Sequence, residues 1–362
     1  MAQPARADYK IRDTTIRSPD SECPALSPLE TIIAAAKGRP AVISLAEGVD
    51  PRIVEGAVRA ARDGIARPAL IGDADKVRAQ LAAAGAPDGV DGLTIIDPAT
   101  SDRTPDYAAL IHEIRRHRGM DEVAAARAAR DPMNYAALMV RAGDAGGTIA
   151  GAVATTALTV RTAFQIIGRA EGVDTVSSFF LMLPQGSGHP LPGPVLFADC
   201  GLVIEPSPEE LAQIAVSSAD SLAAMLNEEA QIAFLSFSTK GSARHKRVDR
   251  VTEALGIART MRPDLTMDGE LQFDAAFVPD VAASKAPGSP LAGRANIFVF
   301  PSLEAANIGY KIAQRIGGAR AIGPILQGLS APANDLSRGC SAQDVYDLIA
   351  VTGAQAAGAA TP

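Results

Sequence analysis

Residues 27–71 read SPLETIIAAAKGRPAVISLAEGVDPRIVEGAVRAARDGIARPALI. Ser27, Pro28 and Glu30 are spaced as a capping box with proline at the first helical position, so a helix starts at Pro28 and stops near Lys37-Gly38. The apolar run Ala41 to Leu45 has the pattern of a buried strand. Asp50-Pro51 opens a second helix that ends near Gly64, and Ala69 to Ile71 is the next strand. Strands alternating with helices of this length predict an α/β fold with mostly parallel sheets covered on both faces.

The alternation continues along the rest of the chain. Further helices are expected over Asp75–Ala84, Pro105–Arg118, Asp121–Ala129, Pro132–Ala142, Pro208–Met225, Arg247–Met261, Leu303–Ile316 and about Ser341–Ala356. Strands are expected over Leu93–Ile96, Thr148–Val153, Ser177–Leu183, Val195–Asp199, Ile232–Phe237 and Ile297–Phe300. The segment Thr156–Arg169 reads as a helix serving as a hinge. Residues 1–26 are polar, carry several prolines and lack periodicity, which predicts a loose extension.

Length and composition narrow the function. A chain of 362 residues suits two domains of ~150 residues each. Hydrophobic residues make up 47%, ample for packed cores, while the absence of Trp leaves Ala, Val, Ile and Leu to fill them. A net charge of −7 argues against general nucleic-acid binding, and it makes each arginine near a candidate site informative. Cys23, Cys200 and Cys340 lie far apart with no Cys-x-x-Cys, which argues against a disulfide framework or a thiolate zinc site and for a reducing cytoplasm. The first residues lack the apolar centre of a secretory signal, and Ala145–Val160 falls short of the ~20 residues a membrane helix needs. No membrane partner is expected. Neither a Walker A motif nor a Gly-x-Gly-x-x-Gly following a strand is present.

The chemistry concentrates in Asn334-Asp335-Leu336-Ser337-Arg338-Gly339-Cys340 and, one helical turn on, Asp344. Arg338 can grip an oxyanion with two parallel hydrogen bonds. Ser337 can donate to a carbonyl or phosphoryl oxygen, Gly339 admits a ligand close to the backbone, and Asp344 can take a proton. Each has a plainer alternative. Asp344 also stands where Ser341-Ala342-Gln343-Asp344 would cap the last helix. Ser337 as a nucleophile would need a base, and none of His112, His117, His189 and His245 lies in a recognisable partner motif. Arg115 lies in a basic helix end, Ile114 to Met120, where it complements the helix dipole. Asp268, Glu270 and Asp274 either hold a divalent ion or border a cleft paired with Lys or Arg; the pairing is preferred and no metal is assigned. Lys240 and Lys285 are possible phosphate neighbours, and Cys340 reads as packing.

Five further strings accompany that stretch: Ser238-Thr239-Lys240-Gly241-Ser242, Asp268-Gly269-Glu270-Leu271-Gln272-Phe273-Asp274, Lys285-Ala286-Pro287-Gly288-Ser289-Pro290, Asn307-Ile308-Gly309-Tyr310-Lys311 and Gly323-Pro324-Ile325-Leu326-Gln327-Gly328. In this order and spacing the chain resembles the phosphate acetyltransferase (phosphotransacetylase) family from about Pro28 onward. The resemblance implies two α/β/α domains with an active cleft between them, the C-terminal segment returning to the first. The domains would be 27–172 plus 324–362, and 173–323. It implies reversible transfer of acetyl between acetyl phosphate and coenzyme A by direct attack of the thiol in a ternary complex. Coenzyme A is a co-substrate, with no tightly bound cofactor. Asp344 would be the base, Ser337 would stabilise the oxyanion, Arg338 would accept the phosphate, and Arg115 and Arg161 would bind the anionic coenzyme. Gly146 and Leu158 stand where the family pattern has acidic residues, and Thr162 where proline is common. A cytoplasmic homodimer is the expected state. A butyryltransferase-like enzyme for longer acyl groups and a non-catalytic acetyl-CoA-sensing module are the competing readings.

Overall fold

The computed structural model describes residues 27–184 and 193–359; the expected extension over 1–26 lies outside the described residues. In chain order the first part runs α1 (Pro28–Gly38), β1 (Val42–Leu45), α2 (Pro51–Arg62), β2 (Arg67–Ile71), α3 (Ala74–Ala83), β3 (Thr94–Ile96), α4 (Thr104–Arg115), α5 (Glu122–Ala128), α6 (Pro132–Arg141), β4 (Gly147–Ala150) and α7 (Thr156–Thr162). There follow β5 (Ser177–Leu183), β6 (Val195–Ala198), α8 (Pro208–Leu226), β7 (Gln231–Leu235), α9 (Lys246–Met261), β8 (Thr266–Leu271), α10 (Phe273–Phe277) and α11 (Pro279–Lys285). The chain closes with β9 (Ile297–Val299), α12 (Leu303–Arg315), β10 (Arg320–Gln327), β11 (Ala333–Asp335) and α13 (Ala342–Ala359).

Two sheets result. One has the order β11-β4-β1-β2-β3 and is parallel throughout. The other has the order β10-β5-β6-β9-β7-β8, parallel from β6 to β8 and antiparallel at β5 and β10. The last strand in sequence, β11, joins the first sheet, while β10 belongs to the second. β10 therefore spans the expected domain boundary between 323 and 324.

The capping signals act as their chemistry requires. Ser27 Oγ accepts from the Glu30 N–H and Glu30 Oε2 accepts from the Ser27 N–H, closing the box that starts α1. Asp50 caps α2, with Pro51 at its first position. The apolar face of α2 (Ile53, Val54, Ala57, Val58) is buried, and so are Val345, Leu348, Ile349 and Val351 of α13. Gly56 brings the two helices into close approach, since a Cβ there would lie 2.7 Å from Val345 Cβ. The same core takes in Ile32 and Ala36 of α1, Leu222 of α8, Ile43 and Leu45 of β1, and Phe179 and Leu181 of β5. The apolar interior thus runs unbroken from one sheet to the other, at about 1.5–3 kcal/mol for each large side chain removed from water.

Three strands lie outside the sequence reading: β8, β10 and β11. The expected helix over Thr156–Arg169 forms as far as Ile167 but widens part-way. α7 ends at Thr162, a wider turn covers Ala163–Ile167, and Gly168 (φ +86°) ends it.

Candidate active site

Because β1, β4 and β11 are parallel neighbours, the loops after their carboxyl ends emerge along one edge of the sheet, where open α/β sheets hold ligands. These loops are Ala46–Asp50, Gly151–Thr155 and Leu336–Ser341. Ser337, Arg338 and Gly339 are exposed there, whereas Leu336 and Cys340 on either side are buried and anchor the turn. The Cys340 N–H donates to the Ser337 carbonyl at 2.9 Å, and the Gly339 N–H to Ser337 Oγ at 3.3 Å. As Ser337 Oγ only accepts in that contact, its own proton stays available for a ligand oxygen.

Ser337, Gly339, Cys340 and Asp344 line one cavity of about 230 Å³, together with Phe180, Tyr310, Lys311, Arg315, Gly323 and Asp347. The cavity is built from both sheets: the β11–α13 turn on one side, β5, β10 and α12 on the other. Arg338 sits between two lining residues, and among the described residues its guanidinium makes no ion pair. Opposite, Lys311 Nζ donates to the Tyr310 hydroxyl at 2.6 Å, and Tyr310 stacks on Phe180 with ring centroids 4.0 Å apart. Nothing in the sequence reading singles out Tyr310, Lys311 or Asp347 for this wall; the Asn307–Lys311 string marks the first two only as part of a longer pattern. A larger cavity of about 470 Å³ lies at the ends of β7 and β9, lined by Ile204, Phe237, Arg247, Arg250, Phe273 and Phe300 among others. It holds none of the expected catalytic groups, so donor chemistry rather than size selects the smaller one.

Asp344 does form the capping box: its Oδ2 accepts from the Ser341 N–H (2.7 Å) and hydroxyl (2.9 Å), and the Asp344 N–H donates to Ser341 Oγ (3.2 Å). Both incoming bonds fall on Oδ2. Oδ1 receives none among the described residues, so one oxygen caps α13 and the other is open to a proton. Two neighbouring carboxyls differ. Asp347 is buried, which raises its pKa even though it pairs with Arg320 and accepts from Gln343. Asp335, at the end of β11, is pushed up to about 6 by burial; Oδ2 accepts from the Thr156 hydroxyl at 2.6 Å and Oδ1 has no hydrogen-bond partner among the described residues. Burial likewise pushes the Cys340 thiol up, in keeping with a packing role.

Arg115 ends α4 half-buried and Arg161 lies exposed on α7; neither is among the residues lining the Ser337 cavity. Two of the three carboxylates, Asp268 on β8 and Asp274 on α10, pair with cations. Asp268 is buried against Lys240 and Arg259, and Asp274 meets Lys285 at 2.7 Å. Glu270 instead accepts from the Ser238 hydroxyl (2.8 Å) and the Gly241 N–H (2.7 Å). Lys240 and Lys285 are thus engaged by carboxylates away from the cavity.

A serine donor and a carboxylate with a free oxygen line this crevice, while Arg338, in the same turn, is not among its lining residues; such a set can carry a transfer from an anionic leaving group to a protic nucleophile. Comparison with known proteins agrees. Residues 27–353 match the family model described as phosphate acetyl/butaryl transferase. The chain belongs to that family. Among phosphate acetyl/butaryl transferases, it is 50% identical to a phosphate acetyltransferase of Paracoccus denitrificans over 91% of this chain and 99% of that protein. Identity to the phosphate acetyltransferase of Thermoanaerobacterium thermosaccharolyticum is 46%, over 91% of this chain and all of that one. A phosphotransacetylase from Streptococcus pyogenes superposes with a TM-score of 0.84 at 43% identity, covering 91% and 98% of the two chains.

Proposed function

We infer that this chain is an acyltransferase that moves acetyl between acetyl phosphate and coenzyme A. The observation that carries this reading at the level of chemistry is the presence of Ser337, Gly339 and Asp344 on one cavity wall. In the forward direction the coenzyme thiol sulfur attacks the acetyl carbonyl and the carbon–oxygen bond to phosphate breaks. The thiol proton passes to Asp344 Oδ1 and inorganic phosphate departs toward Arg338. Ser337 donates to the carbonyl oxygen as charge develops on it, an interaction worth about 3–4 kcal/mol in a preorganised site. An ordinary carboxylic acid and an ordinary thiol differ by about 6 kcal/mol in proton affinity. The proton therefore moves as sulfur bonds to carbon, rather than beforehand. Holding both substrates in one cleft supplies about 7–11 kcal/mol that a bimolecular encounter in water lacks.

Several finer features belong to this reading. Arg115 and Arg161 bind the anionic end of the coenzyme, which is a co-substrate and not a resident group. The chain is read as two domains, 27–172 with 324–362 and 173–323, with the cavity between them, although β10 carries 324–327 into the second sheet. The enzyme works in the cytoplasm; among the described residues no helix is long and apolar enough to cross a membrane. It is a homodimer, a state supported by exposed Ile308 and Ile312 one turn apart on α12 and Ile316 just past its end. The test is thioester formation by the purified protein from acetyl phosphate and coenzyme A, followed with phosphate release. Phosphate released with no thioester above background would reject the reading. Running acetyl, propionyl and butyryl phosphate side by side reports the acyl preference.

A further inference from the structure

We propose that Arg52 is the positioning residue that sets the Ser337–Cys340 turn in the geometry acyl transfer requires, an inference that rests on the function just assigned to that turn. A guanidinium carries five N–H groups in a rigid fork. Here all five are used. Nε donates to Asp50 Oδ1 (3.0 Å), and Nη2 donates to Asp50 Oδ2 (2.9 Å) and to the Ala152 carbonyl (2.7 Å). Nη1 donates to the Arg338 carbonyl (2.8 Å) and the Cys340 carbonyl (3.2 Å).

The placement of these acceptors gives Arg52 its role. Asp50 is itself fixed as the N-cap of α2 through the Arg52 N–H at 2.9 Å, so the fork is bolted to a helix terminus. From there it reaches the loop after β4 and the turn after β11, joining three strand ends into one platform. The turn has little else to hold its exposed portion. Among the described residues only the Cys340 and Gly339 N–H groups within it bond back to Ser337. The β4 loop has an independent clamp: the Glu47 carboxylate accepts from the N–H groups of Ala152, Val153 and Ala154 at 2.7, 3.0 and 2.7 Å. Loss of the Arg52 fork therefore falls mainly on Ser337, Arg338 and Gly339. Lysine keeps the charge but presents three donors from a single point and cannot bridge carbonyls on two loops while gripping a carboxylate.

The experiment is a double-mutant cycle in the acetyl phosphate assay, with Arg52→Lys, Ser337→Ala and the pair. Arg52→Lys is expected to lower kcat by about 100-fold through misplacement of the turn, with KM for coenzyme A little changed. In the Ser337→Ala background the same change is expected to cost less than about threefold, because the two residues act as one unit. Asp50→Asn loosens the fork without removing it and guards against a misfolded lysine variant; it should lower kcat in the same sense with an unchanged circular dichroism spectrum. Wild-type kcat in Arg52→Lys or in Asp50→Asn, or equal losses with and without the Ser337 hydroxyl, would overturn the inference. Failure of the functional reading itself would appear earlier, as absence of thioester in the unmutated enzyme.

Discussion

Two carboxylates close to the Ser337 cavity can be told apart by single substitutions. Asp344 caps α13 through Oδ2 alone. Asp344→Asn preserves an oxygen for that cap but removes the proton acceptor. The expected outcome is an unaltered melting temperature with kcat down by about 100- to 10,000-fold, measured by thioester formation. Full activity would leave Asp344 with the cap as its whole role. Asp335 is buried without a cation, and its pKa rises from its ordinary 3.8 to about 6. The folded state therefore holds this proton more tightly than the unfolded state. Its contribution to stability grows as pH falls through about 6 and is complete below 3.8, where both states are protonated. The span corresponds to about 3 kcal/mol. Paired carboxylates such as Asp50, lowered chiefly by its bond to Arg52, work the other way and lose stability as pH falls. Comparison with Asp335→Asn isolates the term. Denaturant unfolding should show the variant gaining on wild type above pH 6 and losing that advantage toward pH 4; a difference flat across this range would refute buried ionisation.

At the scale of elements, the pieces that announce themselves by capping and periodicity are legible in sequence and the edge pieces are not. α1 and α2 follow from Ser27-Pro28-x-Glu30 and Asp50-Pro51 because those residues satisfy helix-end N–H groups locally. β11 has no apolar run to betray it. Asn334 is buried because Oδ1 accepts from the Leu326 N–H while Nδ2 donates to Thr352 and Gln355, partners known only after folding. β10 carries Gly323 and Pro324 and tolerates them as an edge strand with a register shift against β5. β8 hides because Asp268 and Glu270 read as solvent-facing acids, yet both are buried against partners from other segments. The turn Ser337–Gly339 and Asp344 stand out in the sequence as candidate chemistry because their residue types and spacing are local. Lys311 and Tyr310 needed the long-range approach of α12, and Arg52 needed the parallel register of β1, β4 and β11. Packing of α2 on α13 has its own test. Gly56→Ala puts a methyl group within 2.7 Å of Val345 and 2.9 Å of the Ala342 carbonyl, at the start of the helix that bears Asp344. It should destabilise by about 1–3 kcal/mol in denaturant unfolding and depress kcat as well. A variant with undiminished stability would mean that the helices part without strain.

For the whole molecule, α12 links the cavity to the surface. Tyr310, Lys311 and Arg315 line the Ser337 cavity, while Ile308, Ile312 and Ile316 form an exposed apolar stripe on the adjoining flank, with Ile316 just beyond the helix end. Such a stripe in a chain of net charge −7 favours association through apolar contact rather than charge. A two-fold axis beside α12 would set each stripe against its own copy, so one substitution acts twice in the interface. Ile312, half exposed at the centre, is the position of greatest leverage. Ile312→Glu would bring two carboxylates together at the axis and leave both without a partner. Sedimentation at micromolar concentration should find wild type at twice the 37.3 kDa chain mass and the variant at the chain mass itself. A monomeric wild type, or a variant that still sediments as a dimer, would remove the α12 stripe as the interface. Activity measured on the same samples then reads the coupling. A monomeric variant should retain turnover if α12 keeps Lys311 and Tyr310 on the wall of the cavity that Ser337 and Asp344 also line. A fall in kcat that accompanies dissociation would mean that the partner holds α12, and with it Lys311, against the transfer site.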